Sequence, residues 1–419
     1  MASYTAVAGG GNWSDNATWG GAGHPIAGDV ATINATMTGT VTVNAASACT
    51  TLDTTNNGGT LAFTNQILTV SGLSTLQGTM TGSGGSLNAN GGVTLLSSIT
   101  SSAINLRIGG ASTLTSNGFT WGGPFLTSLS GTVTLKGNWV VTGLYSNTAN
   151  TCTLNRTGVG DGDELACNGG ITVSGALIGT TALIIGGTGK TIRFTGLLQN
   201  NLTFNCTSAT IFTGGTNLYS AGTITHTAGT ITTTSSTIQL QGSCGFNTSG
   251  MTWGAVTMSS TGTPTITLTS DFNCTSFVLV QNSVCSFSGA YDISVGSLGF
   301  NTGVNASALK IPSGQTLTVT TRLFMLGTYL DIFSVVSRTL QAVTASSTIY
   351  LDYLGAASDC CVVAASFVDV DASGSAQPID DWYQAQTTGA TLTRVVNIAS
   401  KTSDDIGGGT TSNVFGFIG

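Results

Sequence analysis

The sequence predicts an all-β protein: a parallel β-helix (β-solenoid) with an N-terminal, tryptophan-containing cap and a distinct C-terminal β segment. Three observations predict it. The first is composition. Only 6% of the 419 residues are charged, against about 25% in an ordinary globular domain. With 40% hydrophobic residues the chain is not of the charge-rich, apolar-poor class that stays unfolded. Thr, Ser, Asn and 59 glycines take the place of the charges; Thr suits a pleated surface, and Gly, Asn and Ser supply turns.

The second observation is a short alternation closed by glycine: apolar, polar, apolar, polar, Gly. Strict copies begin at Leu68, Val133, Ile171, Ile192 and Ile238, and period-two alternation marks a strand with one buried face. The third is their spacing, near multiples of about 20–23 residues and so inside the window of solenoid repeats. One such segment cannot bury its own apolar face, whereas stacked coils make a continuous core. A longer similarity links SNGFTWGG (116–123) to TSGMTWGA (248–255), which places Trp121 and Trp253 alike and suggests a duplication.

The chain divides accordingly into a cap (1–40), a solenoid (41–344) and a C-terminal cap or attachment segment (345–419). In the cap, Trp13 and Trp19 are apolar plates that close the end of the core. Asn12, Ser14 and Asp15 are residues that bond local backbone amides in turns. Pro25 and Gly28-Asp29 make a turn into the first alternating strands. The structural cap set is therefore Trp13, Asp15, Trp19, Pro25 and Asp29, with a carbohydrate-stacking platform as the rival reading. The third segment stands out by charge: eight of the 17 acidic residues fall between Asp352 and Asp405.

Catalytic and ligand-binding chemistry is sparse. The net charge is −7, and no basic stripe exists, which argues against nucleic acid and against anionic lipid. The most apolar stretch, 321–336, carries Arg322 and Asp331 and is shorter than a spanning helix. The N-terminus lacks the features of a signal peptide. Nine scattered cysteines show no C-x2-C pair, so they read as small buried hydrophobes rather than zinc ligands. GGTGKT (186–191) lacks the first glycine of a phosphate-binding loop and continues as a strand. His24 and His226 are the only histidines; alternation pairs His226 with Ile224, as a residue of the core edge. Asp161, Asp163 and Glu164 gather in one Gly-rich loop and are weak candidates for a metal or for glycoside hydrolysis, with an exposed acidic turn as the plainer reading. Asp369 and Asp371 share a strand face, and Asp380 and Asp381 are adjacent. No catalytic residue and no cofactor is assigned.

The stretch NWSDNATWGGAGHPIAGDVATI (12–33) resembles a segment that precedes β-solenoids in bacteriophage virion proteins and large bacterial surface proteins. Its form is N-W-S-D-x-x-T-W…P-x-x-G-D-x-V-x-I, matched by Asn12-Trp13-Ser14-Asp15, Thr18-Trp19, Pro25, Gly28-Asp29 and Ile33. The Thr/Gly-rich repeats up to about residue 345 are similar to the same group. The resemblance implies a non-enzymatic structural protein on a bacteriophage particle, a capsid decoration or a tail fibre or spike component, with a contribution to host-surface attachment. It implies as partners further copies of the chain (a homotrimer by analogy with fibrous virion proteins), other virion proteins and a host-surface glycan, with neither nucleic acid nor membrane. The expected location is the virion surface after synthesis in the host cytoplasm. The alternatives are a secreted bacterial adhesin, extracellular or on the cell surface, and a polysaccharide-degrading tailspike.

Overall fold

A computed structural model describes residues 1–97 without a break and, from 99 to 400, the strands and part of the turns between them. The chain forms two compact units, 1–211 with 228–230, and 212–227 with 231–419. Both are built of parallel strands stacked as a β-solenoid. Among the described residues the helical element is a single 3-10 turn, Asn16–Trp19.

In the first unit each coil has three sides. The first side stacks Ser3–Thr5, Val30–Thr32, Thr51–Asp53, Ser74–Leu76, Val93–Leu95, Ser112–Thr115 and Gly131–Lys136, all parallel. The second begins as Gly10–Asn12, Thr40–Val43, Thr60–Phe63 and Thr79–Gly82. It continues as Thr120–Trp121, Trp139–Val141 and Glu164–Cys167, joined to the earlier strands by the bridges Thr79–Thr100 and Ile99–Trp121. The third runs from Ser47–Cys49 through Ile67–Val70, Ser86–Ala89, Asn105–Ile108, Phe125–Thr127 and Tyr145–Asn147 to Ile171–Val173.

Alternation has the expected consequence: one residue in two forms an interior column. On the third side Leu68, Leu87, Leu106, Phe125, Tyr145 and Ile171 stack in register, all fully buried. Each such aliphatic side chain contributes about 1.5–3 kcal/mol through removal from water. The outward columns are rich in threonine. Thr32, Asp53, Thr75, Thr94, Thr115 and Lys136 form one on the first side, and Thr40, Thr60, Thr79 and Thr100 form another on the second.

The strict sequence copies occupy two different sides. Leu68, Ile171 and Ile192 lie in third-side strands of the first unit, and Val133 lies in a first-side strand. The motif therefore reports a strand, and the coil length itself varies: Ala31 to Leu52 is one coil, as are Val93 to Leu114 and the shorter step from Leu68 to Leu87. The two TWG copies also differ in setting. Trp121 ends the two-residue strand Thr120–Trp121, whereas Trp253 is the second residue of the seven-residue strand Thr252–Met258. Both rings are fully buried.

In the second unit one side carries long strands: Thr252–Met258, Phe272–Leu279, Ile293–Phe300 and Thr316–Leu326. The facing side stacks Cys244–Asn247, Thr265–Leu268, Val284–Ser288, Ser307–Ile311 and Arg338–Ala342. Parallel pairing runs on past residue 345, where composition shifts: Thr316 pairs with Tyr350, Arg338 with Ala365, and Ile379 with Ile398. The one antiparallel pairing among the described strands joins Thr328–Asp331 to Ser334–Val336.

Candidate functional site

The N-terminal segment holds the densest polar and aromatic cluster. Residues 3–12 are themselves strands: Ser3 pairs with Val30 and Gly10 with Thr40. The alternating strands thus start ahead of the tryptophans, not after Asp29. Gly10 is required there, since its φ is +67° and a Cβ would lie 2.2 Å from the Thr40 carbonyl oxygen. Trp13 is fully buried and Trp19 nearly so, with ring centroids 4.9 Å apart at 71°. This edge-to-face geometry suits the ring quadrupoles. Each indole N–H has a partner: Trp13 Nε1 donates to the Pro25 carbonyl (3.3 Å), and Trp19 Nε1 to the Trp13 carbonyl (2.8 Å). Pro25 therefore contributes an acceptor as well as a turn.

The aspartates divide the work. Asp29 accepts from the backbone N–H of Ala2 at 2.8 Å and of Ile26 at 3.3 Å, and its own N–H donates to the Ile26 carbonyl. The Ala2 N–H holds the Asp29 carboxyl below the usual carboxylate range, against an opposing effect of desolvation. Asp15 departs from expectation. Its carboxylate takes the Asn12 side-chain amide at 3.0 Å and caps no backbone N–H of the 3-10 turn. Ser14 reaches across to Asn44, its hydroxyl and N–H lying 3.2 and 3.3 Å from Asn44 Oδ1. These groups bond to one another and to the local backbone.

Of the acidic candidates, Asp161, Asp163 and Asp369 lie outside the described residues, and of Glu164 only its strand position is described. Asp371 and the pair Asp380 and Asp381 fall in short strands. No group of three or more potential metal ligands occurs among the described residues. His226 is buried beside Ile224 on the inward face, as alternation expects, and His24 is half-buried, its Nδ1 3.1 Å from Asn16 Oδ1. Six cysteines are buried free thiols: Cys49, Cys152, Cys167, Cys244, Cys274 and Cys285. Burial pushes all six thiols up, those of Cys49 and Cys244 to about 12, which suppresses the nucleophilic thiolate.

The feature that sequence reasoning missed is an open cleft of about 550 Å³ on the outward face of the long-strand side. Two outward columns line it. Ser276, Ser297 and Arg322 are in register in one, and Val278, Gly299 and Phe324 in the other. The exposed Arg322 guanidinium stacks 4.8 Å from the centroid of the Phe324 ring. In the sequence Arg322 and Phe324 read only as part of the apolar stretch 321–336, and nothing singles out Ser276, Val278, Ser297 and Gly299. The register between Ile293–Phe300 and Thr316–Leu326 shifts by one residue between Val295 and Ser297, so no fixed period brings Gly299 beside Phe324. No protein-family profile, curated protein or solved structure matches this chain.

Proposed function

We propose that the chain is a non-enzymatic structural protein displayed on a bacteriophage particle, as a capsid decoration or a tail fibre or spike component that contributes to attachment at the host surface. The observation that carries this reading is the pairing of a continuous apolar interior with outward columns of threonine hydroxyls and few charges. Lateral packing of such faces desolvates little charge. The resemblance of residues 12–33 to the segment ahead of virion β-solenoids adds to it. In this reading Trp13, Trp19, Pro25 and Asp29 end the apolar column at one extremity, as a cap against edge-to-edge association, and the assembled form is a homotrimer.

Immunogold electron microscopy of source particles, with antibodies to this chain, tests the location. Label on the particle surface is the expected result; label confined to the bacterial envelope favours the adhesin instead. Sedimentation of the purified protein should give three chains per particle, and a monomer at micromolar concentration would remove the trimer. Shortening of host polysaccharide by the protein, abolished by Asp161→Asn or Asp163→Asn, would overturn the non-enzymatic assignment.

A further inference from the structure

The cleft on the long-strand side contains a glycine that the fold does not explain. Glycine inside a strand weakens it, and often marks close approach of a ligand or another backbone. Gly296, three residues earlier, has a steric reason: a Cβ there would lie 2.4 Å from the Thr275 carbonyl oxygen. Gly289 has a conformational reason, a φ of +105°. Gly299 has neither. Its φ is not positive, and a Cβ would meet only the Val278 methyls at 3.6 and 3.9 Å, an ordinary contact. A Cβ would therefore be accommodated and a β-branched residue would favour the strand, at the cost of closing the notch between Val278 and Phe324.

Around that notch stand an apolar wall (Val278 and Phe324), two hydroxyls (Ser276 and Ser297) and one cation (Arg322), and no carboxylate is among the described residues that line it. A guanidinium stacked on a ring is partly pre-organised, so it loses less freedom when it accepts a ligand. The combination matches a molecule with an apolar face, several hydroxyls and one anionic group. We infer that this cleft binds a carboxylated saccharide: the carboxylate on Arg322, the ring hydroxyls on Ser276 and Ser297, and the apolar sugar face in the space that Gly299 leaves against Val278. This inference rests on the surface-display reading for the choice of a glycan as ligand.

Calorimetric titration of the full chain with a short uronic-acid oligosaccharide, and with a neutral oligosaccharide of equal length, tests it. The uronate should bind and the neutral sugar should bind at least about tenfold more weakly. Arg322→Gln should weaken uronate binding roughly ten- to a hundredfold. Gly299→Val should abolish it without lowering the thermal midpoint. No uronate binding, equal affinity for the neutral sugar, or unchanged binding by Gly299→Val would each overturn the inference. If Gly299→Val fails to fold, the exposed Arg322→Gln variant decides alone, and unchanged binding by it is then the overturning result. Immunogold location is independent of this titration, so a failed cleft and a failed surface assignment are distinguishable.

Discussion

The two units turn their corners differently. In the first, strands of two to six residues are separated by glycine and asparagine turns, with positive φ at Asn56, Asn65, Gly78, Gly84 and Asn117. The second keeps such turns at Gly262, Gly289 and Gly314 and adds a corner at which a long strand changes phase without one. The inward residues are Phe272 and Cys274, then Phe277 and Leu279. Thr275 and Ser276 both face out, so the alternation changes phase in mid-strand. Ile293–Phe300 repeats this at Gly296 and Ser297, and Thr316–Leu326 does so with an additional residue, the site of the register shift. The interiors differ too. The second unit packs Phe272 against Phe246, Phe277 and Phe287 at 5.1–6.0 Å, where the third side of the first unit is mostly aliphatic. One sequence therefore uses two ways to close a coil: a left-handed turn residue, or an extra outward residue.

The largest expected effects come from breaking each corner or core in turn. Phe272→Ala should cost about 3–5 kcal/mol, read as a lowered denaturation midpoint of the second unit, because three aromatic contacts and the buried area go together. Trp13→Ala should cost a similar amount but act on the other unit. Hydrogen exchange should accelerate at residues 3–5 and 30–32 while the amides of 252–300 keep their protection. Equal acceleration throughout would show that the two units unfold as one. Gly296→Val should destabilise, since the Thr275 carbonyl is backbone and cannot yield, while Gly299→Val should not; equal thermal midpoints for the two variants would contradict the in-strand corner.

A smaller effect follows from Asp29. Its folded carboxyl titrates below its unfolded value of about 3.9, because the ionised form accepts the Ala2 N–H. The stabilisation is present above that unfolded value and is lost as pH falls through the folded one. The protection of the amides of residues 3–5, relative to their intrinsic exchange at the same pH, should therefore fall below about pH 4, and Asp29→Asn should flatten that dependence. The least perturbing test uses the buried thiols. At pH 8 the six should resist alkylation in the native protein, then react as denaturant rises. Reaction of Cys49, Cys152 and Cys167 at a different midpoint from Cys244, Cys274 and Cys285 would measure the difference between the units directly.

Much of this was legible before any coordinates. Parallel strand content, the inward placement of Leu68, Val133 and Ile171, the burial of Trp13 and Trp19 and of six cysteines, and the turn at Asp29 all follow from alternation and residue type. These are local properties: period two assigns a face, and glycine or asparagine assigns a turn, within a few residues. Which side of the coil each strand joins is different in kind. Ile171 and Val133 carry the same motif yet lie on different sides, because side is set by the accumulated lengths of the turns before them. The pairing of Ser276 with Ser297 and Arg322, and of Val278 with Gly299 and Phe324, depends on an additional residue in one strand. Residue type and alternation assign the inward faces and require that the strands stack to bury them. Their neighbours emerge from the coiled chain alone, since register between coils is a sum over intervening residues that no single segment encodes.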